Sequence, residues 1–458
     1  MDYDVVIVGC GPAGIFSALE LTEKTDLKVL MLDRGPDLDR RRCPSSRGVG
    51  CVKCNPCALL SGWGGSGAFS DGKLTLSPEV GGWLEDYIKR DELTSFISHV
   101  DETYLKFGAP ENLYGEDMDR IMEVKRKAAF AGLKLIHEKL RHMGTENCVK
   151  VLQRMKKHLE NKAEINLNTD VKSLLVKDGS VVGVETSGGK QISAKHVIAA
   201  PGRSGAEWFT KEALQRGLKI LNNPVDVGVR VEVPAPVMEE VTEAMYEPKF
   251  IYYSKSFDDK VRTFCVCPHG EVITESYNDI MTVNGQSYME KKTNNTNFAV
   301  LVSTSFTEPF KDSIAYGKYI ARLANLLGGG IIVQRLSDLE EGRRSTKDRI
   351  ERNPITPTCK SATPGDLSFV LPYRYLADIR EMLKAMDQII PGVHAKHTLL
   401  YGVEVKFYSS KLELNRDLET KIHNLFAVGD GAGVTRGLIQ ASASGLIAAR
   451  KIIREHQK

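Results

Sequence analysis

The sequence predicts an α/β chain: a parallel, doubly wound sheet split along the chain, with an α+β segment inserted into it. Three observations predict this. Residues 5–8 are an unbroken apolar run that feeds Gly9, Gly11 and Gly14, a G-x-G-x-x-G turn opening a helix. A second apolar run, residues 29–32, ends in Asp33, nineteen positions after Gly14. Near the other end, residues 425–428 run into Gly429-Asp430-Gly431-Ala432-Gly433 and then an amphipathic helix. Strand, tight turn, helix, second strand and terminal acid, in that order, are the parts of a Rossmann-like dinucleotide-binding unit.

Each part has a physical reason. Gly9 permits the tight turn, Gly11 admits backbone to contact distance of a pyrophosphate, and Gly14 lets helix and strand pack closely. The phosphates then sit on the helix N-terminus, and Asp33 accepts from ribose hydroxyls. After Asp33, residues 34–60 lose all period and gather Cys43, Cys51, Cys54 and Cys57. Residues 61–73 (SGWGGSGAFSDGK) follow, with glycines that let backbone approach a flat ligand. Residues 85–161 read as a helical section, with 122–142 its most regular part. Strands are expected at 163–171, 173–176 and 181–186 as an antiparallel meander, then at 196–200 as a parallel strand ending in Pro201-Gly202. The division expected is 1–218, 219–397 and 398–458, the middle being an inserted substrate domain with strands such as 227–233, 262–267 and 298–303.

Composition narrows the class. The 458 residues are 42% hydrophobic and 26% charged, ordinary for a globular chain, and the net charge of +3 selects neither nucleic acid nor membrane as a partner. No run of eighteen apolar residues occurs, and no basic segment or cleavage site precedes the first strand, so the expectation is a cytoplasmic protein. Its nine cysteines are then thiols, metal ligands or redox groups rather than structural disulfides. Cys51-x2-Cys54-x2-Cys57 has the spacing of three iron-sulfur ligands, and Cys43 can supply a fourth for a [4Fe-4S] cluster. Four thiolates equally hold zinc, and plain thiols in a loop are the third reading. The five basic residues among 40–70 have no acid beside them, which favours thiolates.

With Gly9 to Gly14, Asp33-Arg34-Gly35, Ala199-Ala200-Pro201-Gly202 and Ala427-Val428-Gly429-Asp430 in this order, the chain resembles flavoproteins of the two-dinucleotide-binding-fold class. In particular it is similar to the poorly characterised NAD(P)/FAD-dependent oxidoreductases, a likeness carried by residues 61–73, 263–270, 295–302 and 401–409. The resemblance implies FAD, held by Gly9, Gly11, Pro12, Ala13, Gly14, Asp33, Arg34, Gly64, Gly65, Ser66, Ala200, Gly202 and Gly429. It puts the backbone of Val171 on adenine and Asp430 on the ribityl and pyrophosphate side. It aims the helix that starts near Gly437 at the pyrimidine edge of the flavin, where its dipole stabilises negative charge. A second G-x-G-x-x-G is absent, which argues against the disulfide-reductase branch and leaves NAD(P)H one electron donor to test. The implied activity is dehydrogenation or reduction of a small organic substrate. If the cysteine loop is loaded, an iron-sulfur relay would serve a ferredoxin-like or quinone partner.

Candidate catalytic groups are Glu404, Lys406 and Tyr408, which the strand period puts on one face, and His269, just past the strand that carries Cys265 and Cys267. The competing readings are a solvated strand face and a structural histidine. Arg343, Arg344 and Arg436 are candidates for a substrate carboxylate or phosphate. Two other functions fit the motifs less well. Flavin-dependent nucleic-acid modification calls for a basic channel that a near-neutral chain does not favour, so no nucleic acid is expected. A non-enzymatic electron carrier or redox sensor calls for a flavin shielded from small substrates.

Overall fold

Five parallel strands set the architecture of one part of the molecule. In the computed structural model, which describes residues 1–44, 52, 54–221, 223–277, 280–288, 291–306, 312–407 and 409–457, Tyr3–Val8 pairs in parallel with Val29–Leu32 on one side and Gln191–Ala199 on the other. Glu164–Asn166 extends the sheet beyond Val29–Leu32, and Leu425–Ala427 extends it beyond Gln191–Ala199, both in parallel. Residues 5–8, 29–32 and 425–427 are buried on both faces, as their unbroken apolar runs require, whereas the edge strand Glu164–Asn166 is not. The register aligns their carboxyl ends: Asn166, Leu32, Val8, Ala199 and Ala427 lie opposite one another along one edge. The first strand is the switch point, where the chain order of the sheet reverses and a crevice opens beyond the strand ends.

Helix Pro12–Lys24 and the terminal helix Leu438–His456 pack against this sheet and against each other. Their crossing uses small residues: a Cβ on Gly445 would lie 2.1 Å from the Ala13 carbonyl oxygen, and Ser17 donates to the Gly445 carbonyl at 3.1 Å. The antiparallel meander Val171–Lys177 and Ser180–Thr186 joins the amino-terminal half of Gln191–Ala199, whose carboxyl-terminal half carries the parallel pairing.

The chain forms two units. Met1–Asn112, Arg141–Asn223 and Tyr408–Lys458 make the first; Leu113–Leu140 and Pro224–Phe407 make the second. The breaks fall at 223/224 and 407/408, where the sequence suggests 218/219 and 397/398. The helical section is also less uniform than its periodicity predicts. Helix Met118–Phe130 stops where Gly132 takes a φ of 74°, and Lys134–Ile136 then pairs antiparallel with Lys249–Tyr253 as an edge strand of the second unit's sheet. Residues 122–142 are therefore helix, turn and strand rather than one helix, because cross-strand pairing overrides the local period there.

The second unit is built on an eight-stranded, almost wholly antiparallel sheet with Val225–Pro234 near its centre, between Asn295–Thr304 and Leu399–Lys406. Its sequence, VDVGVRVEVP, alternates strictly. The valines enter an apolar core with Phe298, Val300 and Val302 and with residues of helix Tyr373–Asp387. The opposite face carries Asp226, Arg230 and Glu232, all buried. Among the described residues no helix is long and apolar enough to cross a membrane.

Candidate functional site

In the first unit the glycine turns occupy the aligned carboxyl edge of the parallel strands. Gly9 has a φ of 111°, and a Cβ there would fall 2.0 Å from the Ala200 carbonyl oxygen; one on Gly14 would fall 2.0 Å from the Gly9 carbonyl oxygen. These two glycines are demanded by the protein's own packing. Gly11 is different: its φ is −81°, and a Cβ would meet only the Gly65 Cα, at 3.9 Å. Nothing in the folded chain requires glycine at 11. Gly437 is the same case, with φ −155° and the Gly81 Cα 3.7 Å from an added Cβ.

Both glycines are N-caps, Gly11 of helix Pro12–Lys24 and Gly437 of helix Leu438–His456, and neither helix has a side chain capping its first turn. Each thus presents bare N–H groups and the positive end of its dipole, a ready site for phosphate or other negative charge. Gly11, Pro12, Gly65, Ser66, Gly202, Asp430 and Gly437 are all half-buried, whereas Ala13, Gly14, Gly64, Ala200 and Gly429 are buried beneath them. Gly202 opens a third helix at this edge, Gly202–Gln215, with a φ of 60°. Val171 is buried at the start of the meander, with its backbone paired to Thr186.

Asp33 already has work to do within the chain. Its carboxylate accepts from the N–H groups of Cys10 at 2.9 Å, Gly35 at 2.8 Å and Gly62 at 2.7 Å. An ionised carboxylate offers about four lone-pair sites, so one acceptor direction is left for a ribose hydroxyl. Arg34 bridges Ser61, at 3.2 Å from its Nε, and the Ser204 carbonyl, at 3.1 Å. Asp430 accepts from Thr435 Oγ1 at 2.7 Å. Burial pushes its carboxyl above the ordinary value, with Arg203, Thr435 and Arg436 opposing.

Sequence reasoning missed the residue that organises the loops here. Arg41, within the run Arg40-Arg41-Arg42, is 4% exposed and donates to the carbonyls of Ala58, Leu59, Trp63 and Gly65 at 2.5 to 2.9 Å. It ties the cysteine loop to the glycine loop that faces Gly11. Burial lowers its pKa to about 10, although Asp33 and Cys57 act the other way. A run of three arginines shows that charge gathers there, but not which one turns inward. Arg436 stacks 3.6 Å from the Trp83 ring, and Gln440 donates to the Pro78 and Val80 carbonyls at 3.0 Å, which ties residues 78–83 to the start of the terminal helix.

The cysteine loop departs from expectation in one respect. Basic neighbours were expected to lower its thiol pKa values, but Cys57 is raised, first by burial and also by Cys54 and Cys43, whose charges reach it. Cys43 and Cys57 are half-buried and Cys54 is exposed; Cys51 lies outside the described residues.

In the second unit, Glu404 is fully buried, not on a solvated face. Arg230 Nε donates to it at 2.8 Å, and Lys406 Nζ lies 3.0 Å from its other oxygen. Arg230 also donates to the Cys265 carbonyl and to the side chains of Asn297 and Asn284. The hairpin Glu271–Tyr277 and Ile280–Gln286 lies over this cluster at Gly285, where a Cβ would fall 2.6 Å from Arg230 Nη1. Beside it, Glu232 accepts from Tyr401, Thr358 and Asn295, and burial raises its pKa. His269 has a φ of 50°, and its Nδ1 lies 3.0 Å from the Thr293 carbonyl, which makes that nitrogen the donor. Arg343 is turned to Asp338 at 2.9 Å rather than held open for a ligand. Tyr408 lies outside the described residues.

The comparisons fit this division. A pyridine nucleotide-disulphide oxidoreductase family model matches residues 3–209, and the model of a FAD-dependent protein, C-terminal domain-like, matches residues 224–407. The chain is a FAD-dependent oxidoreductase. This oxidoreductase also matches the glucose inhibited division protein A model over residues 375–458. A Clostridium beijerinckii relative, described as an uncharacterized protein, is 28% identical over 478 residues, spanning 98% of this chain and 80% of its own. Among solved structures, 3-ketosteroid-delta4-(5alpha)-dehydrogenase from Rhodococcus jostii is 14% identical, with a TM-score of 0.45 over 98% of this chain and 96% of its own. L-proline dehydrogenase from P. horikoshii is 13% identical, with a TM-score of 0.42 over 99% and 94%. The bare cradle at Gly11 and Gly437 fits FAD by its own geometry. When bound, FAD supplies hydride chemistry; the chain supplies binding, orientation and protons.

Proposed function

We propose that this flavoprotein is a dehydrogenase or reductase of a small organic substrate, exchanging electrons with NAD(P)H. The observation that carries the reading is Gly11, bare without any need of the fold, at the uncapped start of a helix on the strand edge. The pyrophosphate takes the N–H groups beyond Gly11, Asp33 takes a ribose hydroxyl through its remaining acceptor direction, and the start of the helix after Gly437 faces the flavin ring. His269 is the candidate proton carrier. With Nδ1–H given to the Thr293 carbonyl, the neutral ring keeps its lone pair on Nε2. Glu404, held by both Arg230 and Lys406, belongs to the buried polar face of the inserted sheet.

The finer reading of the cysteine loop is an iron-sulfur relay on Cys43, Cys51, Cys54 and Cys57, serving a ferredoxin-like or quinone partner. Its support is the spacing and the electrostatic reach of Cys43 and Cys54 to Cys57. Anaerobic purification followed by a visible spectrum and iron, sulfide and zinc assays tests both readings. Flavin bands with about four irons per chain establish the relay. Flavin without iron removes it and leaves NADH and NADPH as the donors to screen. A preparation that binds no flavin overturns the proposal.

A further inference from the structure

Cys265 and Cys267 belong neither to the cysteine loop nor to the flavin cradle. On a regular strand, alternate residues stand about 6.6 Å apart at Cα, at the outer limit of what a disulfide spans. This strand is not regular. Its pairing with Asn295–Thr304 jumps from Phe264 opposite Ala299 to Cys267 opposite Asn297, one residue too many on the cysteine side. Cys265 takes a φ of 48°, a left-handed conformation that a non-glycine residue keeps only where its surroundings hold it. The two sulfurs are thereby brought to 3.8 Å, contact distance without a bond.

The surroundings that hold this kink are on both sides of it. Arg230 donates to the Cys265 carbonyl at 2.8 Å, fixing the kinked peptide from beneath. Two residues further on, His269 is pinned through its N–H to Thr296 Oγ1 at 3.3 Å and through its ring to Thr293. Cys265 is half-buried and Cys267 fully buried, so one thiol can be reached from solvent and the other lies behind it. That is the arrangement of an attacking and a resolving thiol.

We propose that Cys265 and Cys267 form a redox-active dithiol that closes to an intramolecular disulfide by exchange with an external small-molecule disulfide. The Cys265 thiolate attacks one sulfur of the external disulfide, giving a mixed disulfide and releasing one small thiol. The Cys267 thiolate then attacks the Cys265 sulfur, closing the internal bond and releasing the second. Two electrons pass from the pair to the external disulfide, and the two cysteine protons end on the released thiols. Side-chain rotation closes the remaining gap, because the strained backbone already stands in place.

Trypsin isolates the pair: residues 263–291 lie between Arg262 and Lys291 and contain no other cysteine. The holoprotein is equilibrated in mixtures of oxidised and reduced glutathione, quenched by alkylation in denaturant, digested and weighed. The peptide that escapes alkylation, two hydrogens lighter than the free dithiol, should rise from roughly a tenth to roughly nine tenths of the total as the ratio of oxidised glutathione to the square of reduced glutathione is raised, as a two-thiol exchange requires. Cys267→Ser should trap glutathione on Cys265, and Cys265→Ser should leave Cys267 unmodified in the folded protein. Two alkylated thiols at every ratio, or glutathione on both without ring closure, overturns the proposal. Should a serine variant fail to fold, as judged by its flavin spectrum, the wild-type peptide map decides alone.

Discussion

In the first unit the functional edge is made of backbone. Five strand ends align, glycines clear the space beyond them, and the helices that start at Pro12 and Leu438 show their uncapped N–H groups. In the second unit the comparable concentration of polarity is made of side chains: Arg230, Glu404, Lys406, Asn297 and Asn284 in one cluster, Glu232 with Tyr401, Thr358 and Asn295 in another. The first is written in short range, as residue types at fixed spacing; Gly9 and Gly14 tolerate little change because each answers to a nearby backbone atom, whereas Gly11 and Gly437 answer to none. The second is written in long range, as partners far apart in sequence, and its strength depends on every member being present.

That contrast can be broken at either end, and the largest effect is expected in the first unit. Gly9→Ala drives a Cβ against the Ala200 carbonyl at a φ of 111°; the expected loss is about 4 kcal/mol or more, read by urea unfolding. Next comes Arg230→Met, which leaves Glu404 buried without its principal partner and should cost about 3 to 5 kcal/mol. The double change Arg230→Met with Glu404→Leu should recover part of that in the same unfolding assay; a double-variant loss equal to the sum of the losses of Arg230→Met and Glu404→Leu alone would show the pair is not coupled as drawn.

A smaller effect follows pH. His196, in the strand Gln191–Ala199, is buried beside Phe426, and burial lowers its pKa from 6.5 to about 4. A histidine depressed in the fold contributes stability above the unfolded pKa, which is lost as pH falls from about 6.5 to about 4, because the unfolded chain then binds the proton first. The loss amounts to about 3 kcal/mol, and His196→Leu should flatten the acid limb of a stability-against-pH curve by that much. The smallest expected change is Asp117→Ala. It removes the cap on Arg120 N–H at the start of Met118–Phe130 and should cost about 1 kcal/mol by thermal unfolding, with flavin content unchanged.

How much was legible follows from the same contrast. The strand-turn-helix at Gly9 to Gly14, the acid at Asp33 and the closing turn at Gly429 to Gly433 were legible because their chemistry is local. The alternation in VDVGVRVEVP announced a strand with one apolar face, but an alternating strand ordinarily puts its polar face in water. Burial of Arg230 depends on a hairpin some fifty residues away in sequence, and that of Glu232 on Asn295, Thr358 and Tyr401, so neither could be read from the strand itself. Arg41 was hidden for a related reason, since three neighbouring arginines look alike until the carbonyls of Ala58, Leu59, Trp63 and Gly65 are seen around one of them. The helical period across 122–142 misled because a strand partner at Lys249–Tyr253 outweighs it.

Gly11 offers the most direct test of the cradle, because the fold does not need it to be glycine. The measurement is FAD bound per folded chain, by release and absorbance, in the wild type and in Gly11→Val, with thermal unfolding of both apoproteins alongside. The account predicts one FAD per wild-type chain, and a Gly11→Val protein that stays folded as the apoprotein but loses its FAD. A folded Gly11→Val protein that keeps its full complement of FAD would contradict it.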